Sequence, residues 1–350
     1  MITTTAAPSP VARLRGAIGR RTEGRAVALL LIVGLGVAFF QPAVYEAYGV
    51  TLARIALDGM VALGLTLVIL QGELDLSVGS VLAVSGVVLA LQDNLALGIF
   101  YALLAGIAVG VINALLVVGA GVNSFIATLG TLFAVKGLAF VLSGGRPVPV
   151  TNLETAIQFG ATIIGPVTPR VFIFIGVFVL LQIFLTRMRA GREFYAVGGN
   201  RQAAKDAGIP VKLRLFTGFV LCAFLAALSG VINTLELTSG DPTAGSTVLL
   251  SGIAAAIVGG VLLNGGRGSL VGTLIGAAAL GLLQIALDFA GVSPDVKMIL
   301  IGLVLLIAVM TDPNNVRNLR DWFRSIVPPS PVRATSTDTT VTETTSTTKS

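Results

Sequence analysis

Ten runs of apolar residues, each about 16 to 24 residues long, limit what this 350-residue chain can fold into more than any other feature of it. They fall at 26–44, 50–71, 76–92, 95–118, 124–143, 171–187, 215–237, 248–263, 269–290 and 296–311. A helix that crosses a bilayer needs about 20 mainly apolar residues, and fewer where neighbouring helices thin the membrane. With 55% hydrophobic and 11% charged residues, the chain has too little polar surface to cover a water-soluble globule of this size. The runs are continuous rather than alternating, and 42 glycines suit closely packed helices better than a barrel. The expected fold is all-α: a polytopic membrane helical bundle of about ten transmembrane helices, placed in the cell membrane and solvated by the lipid bilayer.

Charge orients the bundle. Of 23 Lys and Arg, five lie in 1–25, seven in 187–214 and five in 311–350, all flanking apolar runs. That distribution marks cytoplasmic surfaces and gives no support to nucleic acid as a partner, despite a net charge of +6. Ten crossings from an inside N-terminus return the chain inside at 188–214 and again at its end, so both termini are expected in the cytoplasm. The resulting organisation is a cytoplasmic N-terminal arm at 1–25, read as uncleaved, a transmembrane domain at 26–312, and a cytoplasmic tail at 313–350. Beyond about 327 the tail is Pro, Ser and Thr without apolar periodicity and is expected to be disordered. With no His and one cysteine, Cys222, a His/Cys metal site and an internal disulfide are excluded, and no cofactor is implied.

Two polar segments interrupt the apolar pattern. Gly72-Glu73-Leu74-Asp75-Leu76-Ser77-Val78-Gly79-Ser80 sets two carboxylates and two hydroxyls between the second and third runs. Asp75 or Ser77 as a cap for the third helix explains them, contact with a transported solute explains them too, and the two roles are compatible. The second segment, 191–210, is the longest polar connection between runs. It carries the pattern of a short helix from about Arg201 to Ala207, with Asn200 as N-cap and Gly208 and Pro210 as stops. The small Ala203 and Ala204 would let that helix dock in a partner's groove, although a plain basic loop serving topology also fits.

Charges inside the runs suggest pairs. Asp58 and Lys136 fall at similar depths, roughly 10–12 Å below the outer boundary by helical rise, as do Asp288 and Lys297 near the outer side. Ion pairing across the bundle is one reading; an unpaired Asp58 or Lys136 facing a watery cavity, and a snorkelling Lys297, are the others. Gly72, Val78 and Gly79 recur at the same offset as Gly265, Val271 and Gly272, which is either an internal repeat or coincidence in a glycine-rich chain. The spacings Gly106-x-x-x-Gly110 and Gly272-x-x-x-Gly276 permit close helix contact and speak for bundle packing before a dimer interface.

An ordered set of short strings carries a family resemblance. The segment from Gly72 to Ser80 is followed by Asn123-Ser124-Phe125-Ile126-Ala127-Thr128-Leu129-Gly130-Thr131 and Ser143-Gly144-Gly145-Arg146-Pro147. Then come Tyr195-Ala196-Val197-Gly198-Gly199-Asn200, Gly240-Asp241-Pro242-Thr243-Ala244-Gly245 and Gly265-Gly266-Arg267-Gly268-Ser269. Together, across about 56–312, they closely resemble the ribose/xylose/galactoside type of ABC importer permease. That resemblance implies a homodimer or pseudo-symmetric permease pair, an ABC ATPase subunit in the cytoplasm and an extracytoplasmic solute-binding protein. It also implies a sugar-like small-molecule substrate. It gives 188–214 the role of an ATPase-coupling loop, with Gln202-Ala203-Ala204-Lys205-Asp206-Ala207-Gly208 matching a Glu-Ala-Ala, three residues, Gly pattern. Glutamine replaces the commoner glutamate there and removes a charge-assisted contact. Glu193, Tyr195, Asn200, Gln202, Ala203, Ala204 and Gly208 are the candidate coupling residues. Asp58, Glu73, Asp75, Ser77, Asn123, Phe125 and Lys136 are the candidate translocation-path residues.

The expected function is therefore the permease subunit of an ATP-driven importer for a monosaccharide or similar small polar solute. No Gly-x-x-x-x-Gly-Lys-Ser/Thr loop is present, so ATP hydrolysis falls to a separate chain. An autonomous secondary transporter or channel is the rival reading, with Glu73 and Asp75 as its ion site. A membrane enzyme fits poorly, since no nucleophile is flanked by a base.

Overall fold

A computed structural model describes residues 23–161 and 163–310. The expected N-terminal arm lies outside the described residues except for its last three, which already belong to the first helix. The expected tail lies wholly outside them. By its contacts the chain divides into a bundle, residues 1–309, and a C-terminal unit, residues 310–350, of which only Met310 is described.

Each of the ten apolar runs carries a helix. In chain order these are α1 (Glu23–Phe40), a four-residue α2 (Ala43–Glu46), α3 (Tyr48–Ile69), α4 (Val78–Ala90), α5 (Leu95–Ala114) and α6 (Ser124–Ser143). There follow α7 (Leu153–Gly160), α8 (Pro169–Arg187), α9 (Arg189–Gly199), α10 (Arg201–Asp206), α11 (Val211–Leu237), α12 (Ser246–Val258), α13 (Leu270–Phe289) and α14 (Pro294–Met310). Six of them, α3, α5 with its continuation, α6, α8, α11 and α13, are long and apolar enough to cross a membrane. The ends follow local chemistry: Asn94, Asn123 and Ser269 accept from the backbone amides of Leu97, Phe125 and Gly272, while Gly144 closes α6 in the left-handed region at φ 63°.

Burial separates a centre from a periphery. The most apolar stretch of α3 is 78% buried, and those of α11 and α13 are each 67% buried; those of α5, α6 and α8 are only 22–28% buried, leaving apolar faces for lipid or another chain. Helix α3 packs on α8, α11, α12 and α13, while α4 lies between α5, α6 and α11. Glycine makes the tightest of these contacts possible. Gly106 and Gly110 of α5 abut Ala227 and Ala223 of α11, and Gly272 and Gly276 of α13 abut Gly259 and Ala255 at the end of α12. Both glycine spacings noted in the sequence thus serve contacts within one chain.

Two of the helices are shorter than their apolar runs. At 13 residues each, α4 and α12 rise only about 20 Å, well short of a hydrocarbon core about 30 Å thick. Irregular backbone completes them: 70–77 precedes α4 and 259–269 follows α12. Such backbone survives at membrane depth only where protein covers it, and here the two stretches cover each other. The Gly266 amide donates to Leu70 O at 2.8 Å, and Gly72 and Gly265, with φ 76° and 79°, lie in direct contact. The two recurring glycine segments therefore meet in space. Outside the helices, β1 (Val148–Pro149) pairs antiparallel with β2 (Ser239–Gly240), which ties the linker after α6 to the end of α11.

Candidate functional site: the polar loop and its junction with the bundle

The polar loop holds more structure than its sequence announced. Beyond the expected short helix it contains α9, an amphipathic helix that buries Gly191, Glu193, Phe194 and Val197 on one side. Phe194 meets Phe184 of α8 edge to face, with centroids 5.4 Å apart, and Tyr195 is half-buried against the same core. The Glu193 carboxylate accepts from Arg189 Nε at 2.8 Å and from Arg214 Nε, at the start of α11, at 2.6 Å. The Arg214 bond above all, joined by Arg189, holds the Glu193 carboxyl below its usual range. Gly198 fits against Leu70 O and the Gly266 amide, where any side chain would collide.

Helix α10 is built as the sequence suggested: Asn200 Oδ1 accepts from the Ala203 amide at 3.0 Å, and Gly208 turns the chain at φ 75°. One expectation changes. Ala203 and Ala204 do not share a docking face, because Ala204 is buried against Val197 and Leu215 while Ala203, Gln202, Lys205 and Asp206 face outward. A helix of six residues turns both directions within its length, so adjacent alanines point apart. Gln202 Nε2 donates along the outer face to Asp206 Oδ1 at 2.8 Å.

Arg201, which the sequence did not single out, joins this loop to the bundle. Its Nη2 bridges Glu73 Oε1 at 2.5 Å and donates to Gln71 O at 3.2 Å. Inward of Glu73 the polar chain continues. The Leu74 amide donates to Ser124 Oγ and Thr128 Oγ1 donates to Leu74 O, which ties the turn to α6. Asp75 Oδ1 accepts from the Ser77 amide at 2.9 Å, from Ser77 Oγ at 2.6 Å and from Asn113 Nδ2 at 3.4 Å; Thr131 Oγ1 then donates to Asn113 Oδ1 at 2.8 Å. Asp75 thus closes a turn onto Ser77 just ahead of α4, and Ser77, at the N-cap position, makes no side-chain capping bond. Both are fully buried. No spacing rule could have found Arg201, whose partner stands 128 positions away.

The remaining candidates lie apart. Asp58 does not pair with Lys136: it accepts from Arg54 Nε at 3.2 Å and from Gln284 Nε2 at 2.7 Å. Equal depth gave one coordinate only, and α6, which carries Lys136, packs on α4 rather than on α3. Lys136 instead lines an open cleft with Ser80, Leu132, Pro242, Gly245 and Ser246. The Lys297–Asp288 pair is present. Asn123 caps α6, and Phe125 is exposed on the same helix. Among the described residues, no three His, Cys, Asp or Glu side chains gather as a metal site would require.

A capped helix on a polar loop is thus bonded to the turn before α4, and comparison with known proteins places the whole chain. The family described as "branched-chain amino acid transport system / permease component" matches residues 49–309. The chain belongs to that permease family. Its relatives include the ribose import permease protein RbsC of Escherichia coli K12, 37% identical over 295 residues, or 82% of this chain and 92% of that protein. The Bacillus subtilis 168 protein of the same name is 37% identical over 291 residues, 81% and 90% of the two chains. The D-allose transport system permease protein AlsC of E. coli K12 is 34% identical over 258 residues, 72% and 79%. No solved structure matches. This permease is accordingly a multi-pass membrane transport subunit and not an enzyme.

Proposed function

We propose that this permease is the membrane-spanning subunit of an ATP-driven importer that admits a monosaccharide or similar small polar solute. The carrying observation is the Arg201–Glu73 bridge, which links a cytoplasm-facing helix to the turn between α3 and α4. In this reading the chain crosses the membrane ten times with both ends in the cytoplasm, and 188–214 is the coupling segment. An ABC ATPase docks on the outward face of α10, formed by Gln202, Ala203 and Asp206. An extracytoplasmic solute-binding protein delivers the solute, and a second copy of the permease completes the pathway. Closure of the ATPase pair displaces α9 and α10 together, since Glu193 clamps α9 to α11 and Ala204 of α10 packs on both, and Arg201 passes that displacement to 70–77. The work is carried by different ATPase affinities for two bundle arrangements. The names of the relatives support the solute class, and Ser80, Lys136 and Ser246 give the Lys136 cleft polar groups on an otherwise apolar lining.

The test is co-purification of the detergent-solubilised permease with its candidate ATPase, comparing wild type with Ala203→Arg. This exposed position leaves the Asn200 cap and the buried Ala204 untouched. Retention by wild type and release by the variant is the expected result. An isolated permease that moves sugar in liposomes on an ion gradient, with no ATPase bound, overturns the reading in favour of an autonomous transporter.

A further inference from the structure

At the end of the bundle where α3 and α8 begin and α11 and α13 finish, a cavity of about 590 Å³ opens beside Arg54, Thr168, Arg170, Asn233 and Glu236. Its size lies in the range of small-molecule sites, about 300–1,000 Å³. Arg170 is only 6% exposed and Asn233 only 8%, so the polar wall belongs to the interior. Most of its bonds are made. Arg170 Nη1 donates to Ala53 O at 3.3 Å, and Nη2 donates to Asn233 Oδ1 at 3.3 Å and pairs with Glu236 Oε2 at 2.5 Å. Arg54 is engaged by Asp58 and Gln284.

Three buried atoms around the cavity are left over: Arg170 Nε, a donor; Glu236 Oε1, an acceptor; and Thr168 Oγ1, which can be either. Interiors rarely leave such atoms unbonded, and three beside one cavity call for a common partner. The charges narrow its nature. Each guanidinium is already matched by a carboxylate, and Glu46 stands at the exposed rim, so a fixed charge on the ligand would have to displace an existing partner. A hydroxyl donates and accepts at once and needs no displacement. Val50, Leu57, Leu237 and Ile285 supply an apolar wall for the C–H face of a ring.

From this geometry we propose that the cavity holds one neutral polyhydroxylated solute of monosaccharide size within a single permease chain. It is a holding site distinct from the Lys136 cleft. The inference rests on the importer reading for its solute class and, with the proposed topology, places the site on the extracytoplasmic side. Thr168 Oγ1, Arg170 Nε and Glu236 Oε1 lie just behind the cavity wall, and on binding these side chains turn toward it to meet vicinal hydroxyls.

The experiment is saturation-transfer NMR on the full-length permease with its ATPase in lipid nanodiscs, without binding protein. The probes are D-ribose, L-arabinose, D-allose and myo-inositol, with leucine as a zwitterionic control. At least one polyol should show transfer and leucine none. Val50→Trp fills the cavity from an exposed wall position and should abolish the signal. Thr168→Val should weaken binding about five-fold, the scale of one lost neutral hydrogen bond. Thermal unfolding checks that both variants fold. The proposal is overturned if no polyol shows transfer, if both folded variants bind as wild type does, or if leucine competes. ATPase retention is read on the same samples, and binding-protein-driven uptake on the same proteins reconstituted in liposomes with binding protein added. Retained ATPase and uptake with unaltered variants sink the cavity alone, and loss of both in wild type sinks the importer reading while the NMR still judges the cavity.

Discussion

Two side chains, Arg201 and Glu193, do most of the joining between the polar loop and the bundle, and they respond differently to change. Arg201 is half-exposed, so its bridge to Glu73 adds little to stability, on the order of 1 kcal/mol or less. Its value lies in transmission. Arg201→Ala should leave the unfolding midpoint nearly unchanged yet lower solute-stimulated ATP turnover about ten-fold, a coupling loss of about 1.4 kcal/mol, and the exchange Arg201→Glu with Glu73→Arg should restore part of it. Glu193 behaves as a clamp. Its carboxyl titrates below the reference 4.5, so its contribution is fully present above that value and disappears as pH falls through the lower folded-state value. The unfolding midpoint of Glu193→Gln should therefore lie below that of wild type at pH 7, and the two should converge as the scans are repeated at successively lower pH, through the folded-state value. Glu193 could be named from the sequence, but its two arginines could not be told from the three others in 187–214. Asp58 shows the same limit: its Gln284 partner is 226 positions away, and only packing brings them together.

Helices were legible wherever apolar length was the signal, and less so where polarity mixed with amphipathic order. Helices α7 and α9 were missed because short amphipathic segments read as loop, and the 13-residue extents of α4 and α12 were missed because their irregular ends are as apolar as their helices. Asn200 announced α10 correctly, as a capping residue before a short helical pattern should. A six-residue helix is marginal alone and depends on its cap. Asn200→Ala should cost about 1 kcal/mol, visible as roughly five-fold faster amide exchange across 201–206 and weaker ATPase retention. The glycine contacts make a sharper contrast. Gly106→Val drives a side chain into Ala227 and should cost roughly 1–3 kcal/mol, whereas Gly137→Val on α6 meets open space and should unfold at the wild-type temperature.

For the whole molecule, composition alone fixed the class, since a chain this apolar has few folds open to it, and the ordered glycine strings pointed to the family before any geometry was known. What they could not convey is how the halves interlock. The turns at Gly72 and Gly265 shelter one another, and about 190 residues of chain separate them. Ribosomes add about 5–20 residues per second, so during synthesis the first turn waits roughly 10–40 s for its cover. For about the first two thirds of that interval Glu73 lacks Arg201, and for all of it the turn lacks the later glycine loop, while α4 is too short to span the bilayer unaided. The nascent permease must therefore carry the short α4 and its polar turn without their cover until the second half of the chain arrives to close over them.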